Sequence, residues 1–266
     1  MINYSIILPV FNEISVLPNC LESLGKQTVF GQMEIIVVDD GSSDGSDKFA
    51  TLKQSHQGPG AARNLGASKA KGEILVFVDA DMEFEGDFVE KLTKPIIEQK
   101  TIGTFSKEEY LLNKDNVWAR LWNLNLGREE SRMIGRGEYP NGCPVFRAIL
   151  KSKFDQSGGF DENVGYTDDW SLSKKLGVQA TYASGAKYYH RNPDSLSEVW
   201  TQARWFGKNE FLTKNLVRKL YNLFRYCPFW SIFKIFDFYF FIFKIVYNSA
   251  VFTSIILSFF GENKSK

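Results

Sequence analysis

The chain has 266 residues, of which 44% are hydrophobic and 24% charged, so it can bury a full-sized core and is not a disordered or fibrous protein. Its net charge of +1 argues against a nucleic-acid-binding protein. The charge is unevenly distributed, because the segment from Thr201 onward has 10 basic and 3 acidic residues and also holds 19 of the 40 aromatic residues. We therefore predict a main domain at 1–215 and an aromatic, basic region at 216–266.

The cysteines and the N-terminus both favour a reducing, cytoplasmic setting for the main domain. Cys20, Cys143 and Cys227 are odd in number and widely spaced, which is not the pattern of a disulfide framework. The first apolar run has the length of a strand, and no basic segment precedes it as in a secretory signal.

The first eighty residues alternate between two kinds of pattern. Short β-branched apolar runs predict strands at Tyr4 to Pro9, Met33 to Asp39 and Glu73 to Asp79. Helical spacing predicts helices at Ile14 to Lys26, Asp44 to Gln54 and Pro59 to Lys71. This βαβαβ order predicts an α/β protein with a mostly parallel sheet, right-handed crossovers and helices on its faces.

The pattern continues less regularly through the rest of the chain. We predict a helix at Phe88 to Glu98, a strand at Thr101 to Tyr110, a helix at Asn116 to Met133, and a strand merging into a helix at Val145 to Asp155. From Ser195 to Phe260 the pattern is helical and very aromatic.

Polar residues follow each of the three predicted strands. The groups are Pro9-Val10-Phe11-Asn12-Glu13, Asp39-Asp40-Gly41-Ser42 and Asp79-Ala80-Asp81. Each group alone is ordinary turn or N-cap chemistry. Because ligands of open α/β sheets bind at the carboxyl ends of the strands, the three groups together predict one binding crevice.

The pair Asp79 and Asp81 predicts a metal site in this crevice. Residues two apart at a strand end share one side of the chain, while Ala80 faces away. A diphosphate entering the crevice would be repelled by about 4 kcal/mol per pair of like charges at 4 Å. A divalent cation removes this repulsion, and oxygen ligands select Mg²⁺ or Mn²⁺.

Five motifs in this order resemble those of the family 2 glycosyltransferases, which are inverting, nucleotide-sugar-dependent enzymes with the GT-A fold. The resemblance extends over residues 4–205. Its motifs are Pro9-x-x-Asn12-Glu13, Val38-Asp39-Asp40-Gly41-Ser42-x-Asp44-Gly45, Gly60-x-x-Arg63-Asn64-x-Gly66, Asp79-x-Asp81, and Gly158-Gly159-Phe160-Asp161-Glu162 followed by Asp168-Asp169-Trp170-x-Leu172.

The resemblance implies a nucleotide site at the strand ends. In this site Asp40 binds the edge of the base, which agrees with the ability of a carboxylate to accept the imide N–H of uracil. Arg63 lies beside the base or the phosphates, with a helix-surface ion pair as the alternative. Asp79 meets the ribose or the metal, and Asp81 the metal. The full nucleotide-binding set is Pro9, Val10, Phe11, Glu13, Asp40, Arg63, Asp79 and Ala80.

The same resemblance places the catalytic base at Asp169. The segment is similar to the family's Glu-Asp-x-Asp-Leu, with Asp168 in place of Glu and Ser171 in place of the second Asp. An inverting transfer needs one base to take the proton of the acceptor hydroxyl. Asp168 is the second candidate, and the alternative for both is a first-turn carboxylate that complements a helix dipole.

Other candidate residues lie farther along the chain. The resemblance implies that His190 reaches the metal or diphosphate, although a lone histidine is also commonly structural. Thr201-Gln202-Ala203-Arg204-Trp205 resembles the Gln-Gln-x-Arg-Trp motif of processive β-glycan synthases. Arg204, Trp205 and Trp170 are therefore expected near the donor or acceptor, and an amphipathic packing helix is the alternative for the first two.

The region from Tyr221 to Phe260 is long and apolar enough to contain a membrane span. A polar stripe of Lys234, Asp237, Lys244 and Asn248, preceded by Arg218, Lys219 and Arg225, instead favours helices lying in the interface of an anionic membrane. A helical homodimer interface is the alternative.

The sequence therefore predicts a metal-dependent, inverting glycosyltransferase at the cytoplasmic face of a membrane. Its expected partners are a nucleoside diphosphate sugar, with a leaning to UDP, and a lipid-linked or growing glycan acceptor. A nucleotidyltransferase is the second enzyme alternative. It would need a Gly-rich loop with Arg and Lys directly after the first strand, and Pro9 to Glu13 does not have that composition. A membrane-tethered binding module without catalysis is the non-enzyme alternative.

Overall fold

The computed structural model describes residues 2–135, 140–162, 169–207, 215–229, 231 and 237–260. The chain divides into two compact units. The first, called the α/β unit, comprises Met1–Leu112, Arg132–Asn163 and Thr167–His190, and the second, called the helical unit, comprises Asn113–Ser131, Val164–Tyr166 and Arg191–Lys266. The sequence-based boundary at residue 215 stays a prediction.

The described part of the α/β unit contains two sheets. Its strands are β1 (Tyr4–Val10), β2 (Met33–Asp39), β3 (Leu52–Lys53), β4 (Ile74–Phe77), β5 (Met82–Phe84), β6 (Gly103–Phe105), β7 (Glu109–Leu111), β8 (Gly142–Cys143), β9 (Ala148–Leu150), β10 (Ala180–Tyr182) and β11 (Tyr188–His190). The large sheet has the order β3-β2-β1-β4-β9-β6-β10-β8, and the small sheet has the order β5-β11-β7.

The first four strands of the large sheet, β3-β2-β1-β4, are parallel. Strand β9 lies antiparallel to both β4 and β6. The predicted α/β class with a mostly parallel sheet is confirmed, and the carboxyl ends of β1, β2 and β4 meet at one edge.

The described residues form nine α-helices. They are α1 (Leu17–Gly25), α2 (Pro59–Lys69), α3 (Phe88–Ile97), α4 (Val117–Asn125), α5 (Lys151–Ser157), α6 (Ser171–Leu176), α7 (Leu196–Gly207), α8 (Leu216–Arg225) and α9 (Phe238–Phe259).

Both faces of the large sheet are covered. Ile6 and Leu8 of β1 are buried on one face with side chains of α1 and α3. Ile7 is buried on the other face with Phe154 of α5 and Leu172 of α6. The alternation of neighbouring residues between two cores explains why β1 is apolar throughout.

Helix α2 packs closely on the sheet at Gly66. A Cβ atom at this position would lie 2.6 Å from Ile7 Cγ2 and 3.2 Å from Val38 Cγ2. A side chain larger than hydrogen would push α2 away from β1 and β2, so the last glycine of the Gly60-x-x-Arg63-Asn64-x-Gly66 motif has a packing role.

Two of the predicted helices were wrong in extent. The segment Asp44 to Gln54 forms only a 3₁₀ turn at Ser46–Phe49 and then β3, because Thr51 and Gln54 donate backbone hydrogen bonds to β2. The helix predicted from Asn116 to Met133 ends at Asn125, shortly before Gly127, which has φ +72°. Its N-cap is Asn116, the first residue of the predicted range.

The strand predicted from Thr101 to Tyr110 is divided between β6 and β7, which belong to different sheets. Alternation of apolar residues does not reveal the break, because both pieces keep extended backbone. The strand followed by a helix predicted at Val145 to Asp155 is confirmed by β9 and α5.

Helices α4, α7, α8 and α9 form the described core of the helical unit. Phe243, Tyr247, Val251 and Ile255 recur along one face of α9 and are buried with Val199 and Ala203 of α7. Within the described residues, α9 alone is long and apolar enough to cross a membrane by length and composition. A buried core helix meets the same criteria.

Three residues of the polar stripe predicted in this region make hydrogen bonds within the helical unit. Lys244 Nζ donates to Asn125 Oδ1 at 2.8 Å, and the buried Asn248 donates from Nδ2 to Ser231 Oγ at 3.2 Å. Asp237 Oδ1 caps the first turn of α9, accepting from the Phe240 N–H at 3.0 Å. Lys234 lies outside the described residues. Asn248 is therefore buried within the helical unit, and the expected membrane contact of this region stays a prediction.

Candidate active site

The loops that follow β1 and β2 are joined by side-chain hydrogen bonds. The Asn12 N–H donates to Ser42 Oγ at 2.9 Å, and Asn12 Oδ1 accepts from the Ser43 N–H at 2.8 Å. Asp44 Oδ2 accepts from the Ile14 N–H at 2.9 Å. Asn12 has φ +56°, a conformation that asparagine tolerates better than most residues. The first two motifs therefore form one folded edge of the crevice.

The predicted nucleoside-contacting residues lie on this edge. Pro9 pairs with Val38 in the parallel register, and the Val10 carbonyl accepts from the Asp40 N–H at 2.8 Å. The Glu13 N–H donates to Ser46 Oγ at 2.9 Å.

Asp40 is buried and its carboxylate organises the segment that leads into α2. Oδ1 accepts from Gln54 Nε2 at 2.7 Å and from the Gln57 N–H at 2.8 Å. Oδ2 accepts from the Gly58 N–H at 2.8 Å and lies 2.8 Å from His56 Nδ1. These four contacts match the four acceptor positions of a carboxylate. The predicted contact between Asp40 and a nucleobase stays a prediction, and it would compete with one of these partners.

Phe11 stacks on His56 in the same region, with ring centroids 4.1 Å apart and an interplanar angle of 28°. Sequence reasoning missed His56, because it lies between the helices predicted at Asp44 to Gln54 and Pro59 to Lys71 and belongs to none of the motifs. The stacked pair places two flat surfaces next to the Asp40 carboxylate.

Arg63 joins two acidic residues, one after strand β4 and one in the turn before helix α6. Its Nη1 lies 2.7 Å from Asp169 Oδ1, and its Nη2 lies 2.8 Å from Asp79 Oδ1. Arg63 is only 5% exposed, so it is a buried ion-pairing residue and not a helix-surface one. This placement links α2, the end of β4 and the turn before α6.

Arg147, which sequence reasoning missed, holds the other oxygen of Asp79. Its Nη1 lies 3.0 Å from Asp79 Oδ2. Burial would raise the pKa of the Asp79 carboxyl, but the Arg147 and Arg63 guanidinium groups hold this pKa well below its usual range. Arg147 immediately precedes β9, and nothing in the sequence showed that this strand inserts beside β4.

Asp81 contacts His190 through the small sheet. His190 of β11 pairs with Met82 of β5, which brings His190 Nε2 to 3.2 Å from Asp81 Oδ2. His190 Nδ1 lies 2.7 Å from Glu109 Oε1 of the neighbouring β7. Burial lowers the pKa of His190, but the Asp81 and Glu109 carboxylates outweigh this effect and raise the pKa to about 10. Glu109 was missed, because its pairing with β11 is a tertiary contact.

In the described part of the chain, no group of three or more His, Cys, Asp or Glu side chains is arranged to hold a metal ion. Both Asp79 oxygens contact arginines, whereas Asp81 and His190 face each other. Mg²⁺ is commonly held by one or two protein ligands together with substrate phosphates. Asp81 and the His190 ring, whose Nδ1 contacts Glu109, fit such an ion when the ion displaces the proton from His190 Nε2.

Asn64, next to Arg63 in the motif, fixes the Gly-Gly-Phe-Asp-Glu segment. Asn64 Oδ1 accepts from the Phe160 N–H at 2.9 Å, and its Nδ2 donates to the Phe160 carbonyl at 3.0 Å and to Glu162 Oε1 at 2.9 Å. Ser171, which stands where the family has a second Asp, accepts the Asp161 N–H through Oγ at 3.1 Å. Two motifs far apart in sequence are thus joined by hydrogen bonds.

The remaining predicted residues are placed as follows. Ala80 is buried in the core, and Trp170 is 53% exposed beside Asp169. Asp168 lies outside the described residues. Arg204 and Trp205 lie on α7 in the helical unit, where Ser254 Oγ donates to the Arg204 carbonyl at 2.9 Å. Their predicted proximity to donor or acceptor stays a prediction.

The acidic residues of the α/β unit are therefore connected. Asp40 binds the N–H of Gly58 at the start of α2, and Arg63 on the same helix holds Asp79 and Asp169. A mostly parallel α/β sheet with an acidic crevice at its strand ends is the arrangement that the motif resemblance to GT-A domains predicts.

Comparison with known proteins identifies the family. The model of Glycosyl transferase family 2 matches residues 5–158. This chain belongs to glycosyl transferase family 2, which confirms the resemblance seen in its motifs.

Two curated relatives and one crystal structure illustrate the similarity. Glycosyltransferase GlyG of Streptococcus pneumoniae serotype 4 is 35% identical over 202 residues, 65% of this chain and 66% of GlyG. EpsH of Bacillus subtilis (strain 168) is 37% identical over 101 residues, 34% of this chain and 29% of EpsH. The crystal structure of S. aureus TarS 1-349 in complex with UDP has a TM-score of 0.53 at 19% identity and covers 80% of this chain and 67% of that chain. This structural likeness shows the fold.

Proposed function

We propose that this chain is an inverting glycosyltransferase that moves a sugar from a nucleoside diphosphate donor to a hydroxyl acceptor. The observation that carries the proposal is the contact of Arg63 with both Asp79 and Asp169. Arg63 thereby holds Asp169, the candidate base, close to the end of β4. GT-A domains bind the donor at this edge of the sheet. Membership of glycosyl transferase family 2 supports the same reaction class.

The proposed donor carries UDP. Support comes from the Phe11 and His56 rings next to Asp40, which offer stacking surfaces and a carboxylate at one place. The structurally similar TarS has been crystallised with UDP. For Asp40 to accept the imide N–H of uracil, Gln54 or one of the backbone donors would give up its hydrogen bond.

We propose Mn²⁺ or Mg²⁺ as the cofactor, held by Asp81 and His190. When bound, the ion would neutralise part of the charge on the leaving diphosphate. Glu109 would orient the His190 ring, and Asp79 would remain with Arg63 and Arg147.

In the proposed reaction Asp169 accepts the proton of the acceptor hydroxyl as that oxygen attacks the anomeric carbon. A positioned base contributes about 10²–10⁴-fold to the rate. Arg63 fixes the position of the carboxylate through Oδ1. The exposed Trp170 ring beside it offers a flat apolar surface of the kind on which sugar rings stack.

The proposed acceptor is a lipid-linked or growing glycan, and the proposed location is the cytoplasmic face of a membrane. Support comes from the excess of basic and aromatic residues after Thr201.

The test is nucleotide release from a panel of UDP-, GDP- and dTDP-sugars, with and without Mn²⁺, for the wild-type chain and the Asp169→Asn variant. We expect the wild-type chain to release UDP from UDP-sugars only when Mn²⁺ is present. The Asp169→Asn substitution should abolish this release. Nucleotide binding without any turnover, with a lipid-linked acceptor present, would instead support a binding module that has lost catalysis.

A further inference from the structure

Helix α8 presents an apolar face that is largely exposed. Each large apolar side chain on this face is more than half exposed, from 53% for Leu220 to 76% for Val217. The face consists of Leu216, Val217, Leu220, Tyr221 and Phe224. At 100° per residue these five positions occupy one continuous sector of the helix.

One flank of α8, next to Leu216 on the helix, is fixed to the rest of the helical unit. Leu223 packs against the core of the helical unit, and Lys219 Nζ donates to the Ser258 carbonyl at 3.1 Å. The Asn215 side chain caps the helix by accepting the Arg218 N–H at 3.0 Å. The orientation of α8 is therefore set by packing and capping, and its apolar face points away from α9.

The charge on α8 is entirely positive. Arg218 and Arg225 are exposed at the border of the apolar face, and the helix contains no acidic residue. An isologous contact with a second copy would bring the positive charges of the two helices together. The surface of an anionic lipid leaflet provides both an apolar layer for the face and negative charge for its border.

We propose that the apolar face of α8 docks in the interface of an anionic bilayer, with Arg218 and Arg225 at the headgroups. This inference rests on the membrane location proposed above and assigns it to one helix. It keeps Arg218 and Arg225 of the expectation drawn from the sequence and assigns the membrane contact to the exposed apolar face of α8.

The test is co-sedimentation of the full chain with vesicles of phosphatidylcholine alone and of phosphatidylcholine with phosphatidylglycerol. We expect strong binding only to the anionic vesicles. Leu220→Glu/Phe224→Glu should lower the partition coefficient at least tenfold. Each arginine near an anionic surface contributes about fivefold, so Arg218→Gln/Arg225→Gln should lower the partition coefficient about 30-fold.

Phe30→Glu is the matched control, because Phe30 is also half exposed but lies in the α/β unit. It should leave vesicle binding unchanged. Release of UDP from UDP-sugar without acceptor serves as the separate readout of folding and catalysis, and none of these variants should change it.

Three results would overturn the proposal. They are equal binding to neutral and anionic vesicles, unchanged binding of the Leu220→Glu/Phe224→Glu variant, and a dimer by light scattering that this variant dissociates. If the wild-type chain binds anionic vesicles but releases no UDP from any UDP-sugar, the proposed function is contradicted. The docking surface on α8 is then still supported.

Discussion

Arg63 Nη1 lies 2.7 Å from Asp169 Oδ1, although the two residues are 106 positions apart in the chain. Through Nη2 the same guanidinium holds Asp79 at the end of β4. One side chain of α2 thereby sets the distance between the donor-binding strand end and the candidate base. This relationship gives Arg63 a positioning role that its motif alone did not specify.

Replacing Arg63 with alanine should lower turnover more than donor affinity, because it releases Asp169 while Arg147 still holds Asp79. It should also lower the free energy of unfolding by about 1–3 kcal/mol, since it leaves two carboxylates with fewer partners. Steady-state kinetics and thermal unfolding measure the two effects. Arg63→Lys should recover part of the stability but less of the turnover, because lysine cannot hold both carboxylates in a planar fork.

Lys69→Ala provides the control for Arg63, since it removes a positive charge from an exposed position on the same helix. It should behave as the wild type. An Arg63→Ala variant with wild-type turnover would contradict the positioning role.

Replacing Asp169 with asparagine should reduce transfer by about 10²–10⁴-fold while nucleotide binding is retained, because the amide cannot accept the acceptor proton. Isothermal titration with UDP and a transfer assay separate the two properties. Asp155→Asn, at an exposed position of α5, is the control. Unchanged transfer would move the base elsewhere, with Asp168 as the next candidate.

Replacing Glu109 with glutamine should weaken Mn²⁺ binding about 10–100-fold in the presence of UDP, because Glu109 orients the His190 ring from behind. The fraction of free Mn²⁺ measured by electron paramagnetic resonance gives the affinity directly. Glu73→Gln is the matched control, an exposed carboxylate before the opposite end of β4. Equal Mn²⁺ affinity in both variants would argue against His190 as a ligand.

Replacing Gly66 with alanine should destabilise the protein by about 1–3 kcal/mol, because the new methyl group overlaps Ile7 at the contact between α2 and β1. Thermal unfolding should show a melting temperature several degrees lower. Gly25→Ala adds the same methyl group where no heavy atom lies within 4 Å, and it should leave the melting temperature unchanged or slightly higher. A neutral Gly66→Ala would mean that α2 can shift on the sheet without cost.

The sequence identified residues that end strands but not the contacts between them. Asp40, Asp79, Asp81 and Asp169 were found because strand periodicity and short motifs are local properties of the chain. Arg147 and Glu109 were missed, because each reaches the site through a strand pairing that joins distant segments. His56 was missed for a different reason, because the side chain of the buried Asp40 holds its segment in place and no motif includes it.

The sequence by itself determined the α/β class, the parallel order at β1, β2 and β4, the family and most of the acidic site. These follow from apolar periodicity and from residue types that turns and strand ends require. Only the tertiary structure decided that Arg63 is shared between Asp79 and Asp169, that His190 lies between Asp81 and Glu109, and that α8 exposes its apolar face while α9 buries one. Ion pairs and burial depend on which segments meet in space, and this is settled by the packing of the whole chain.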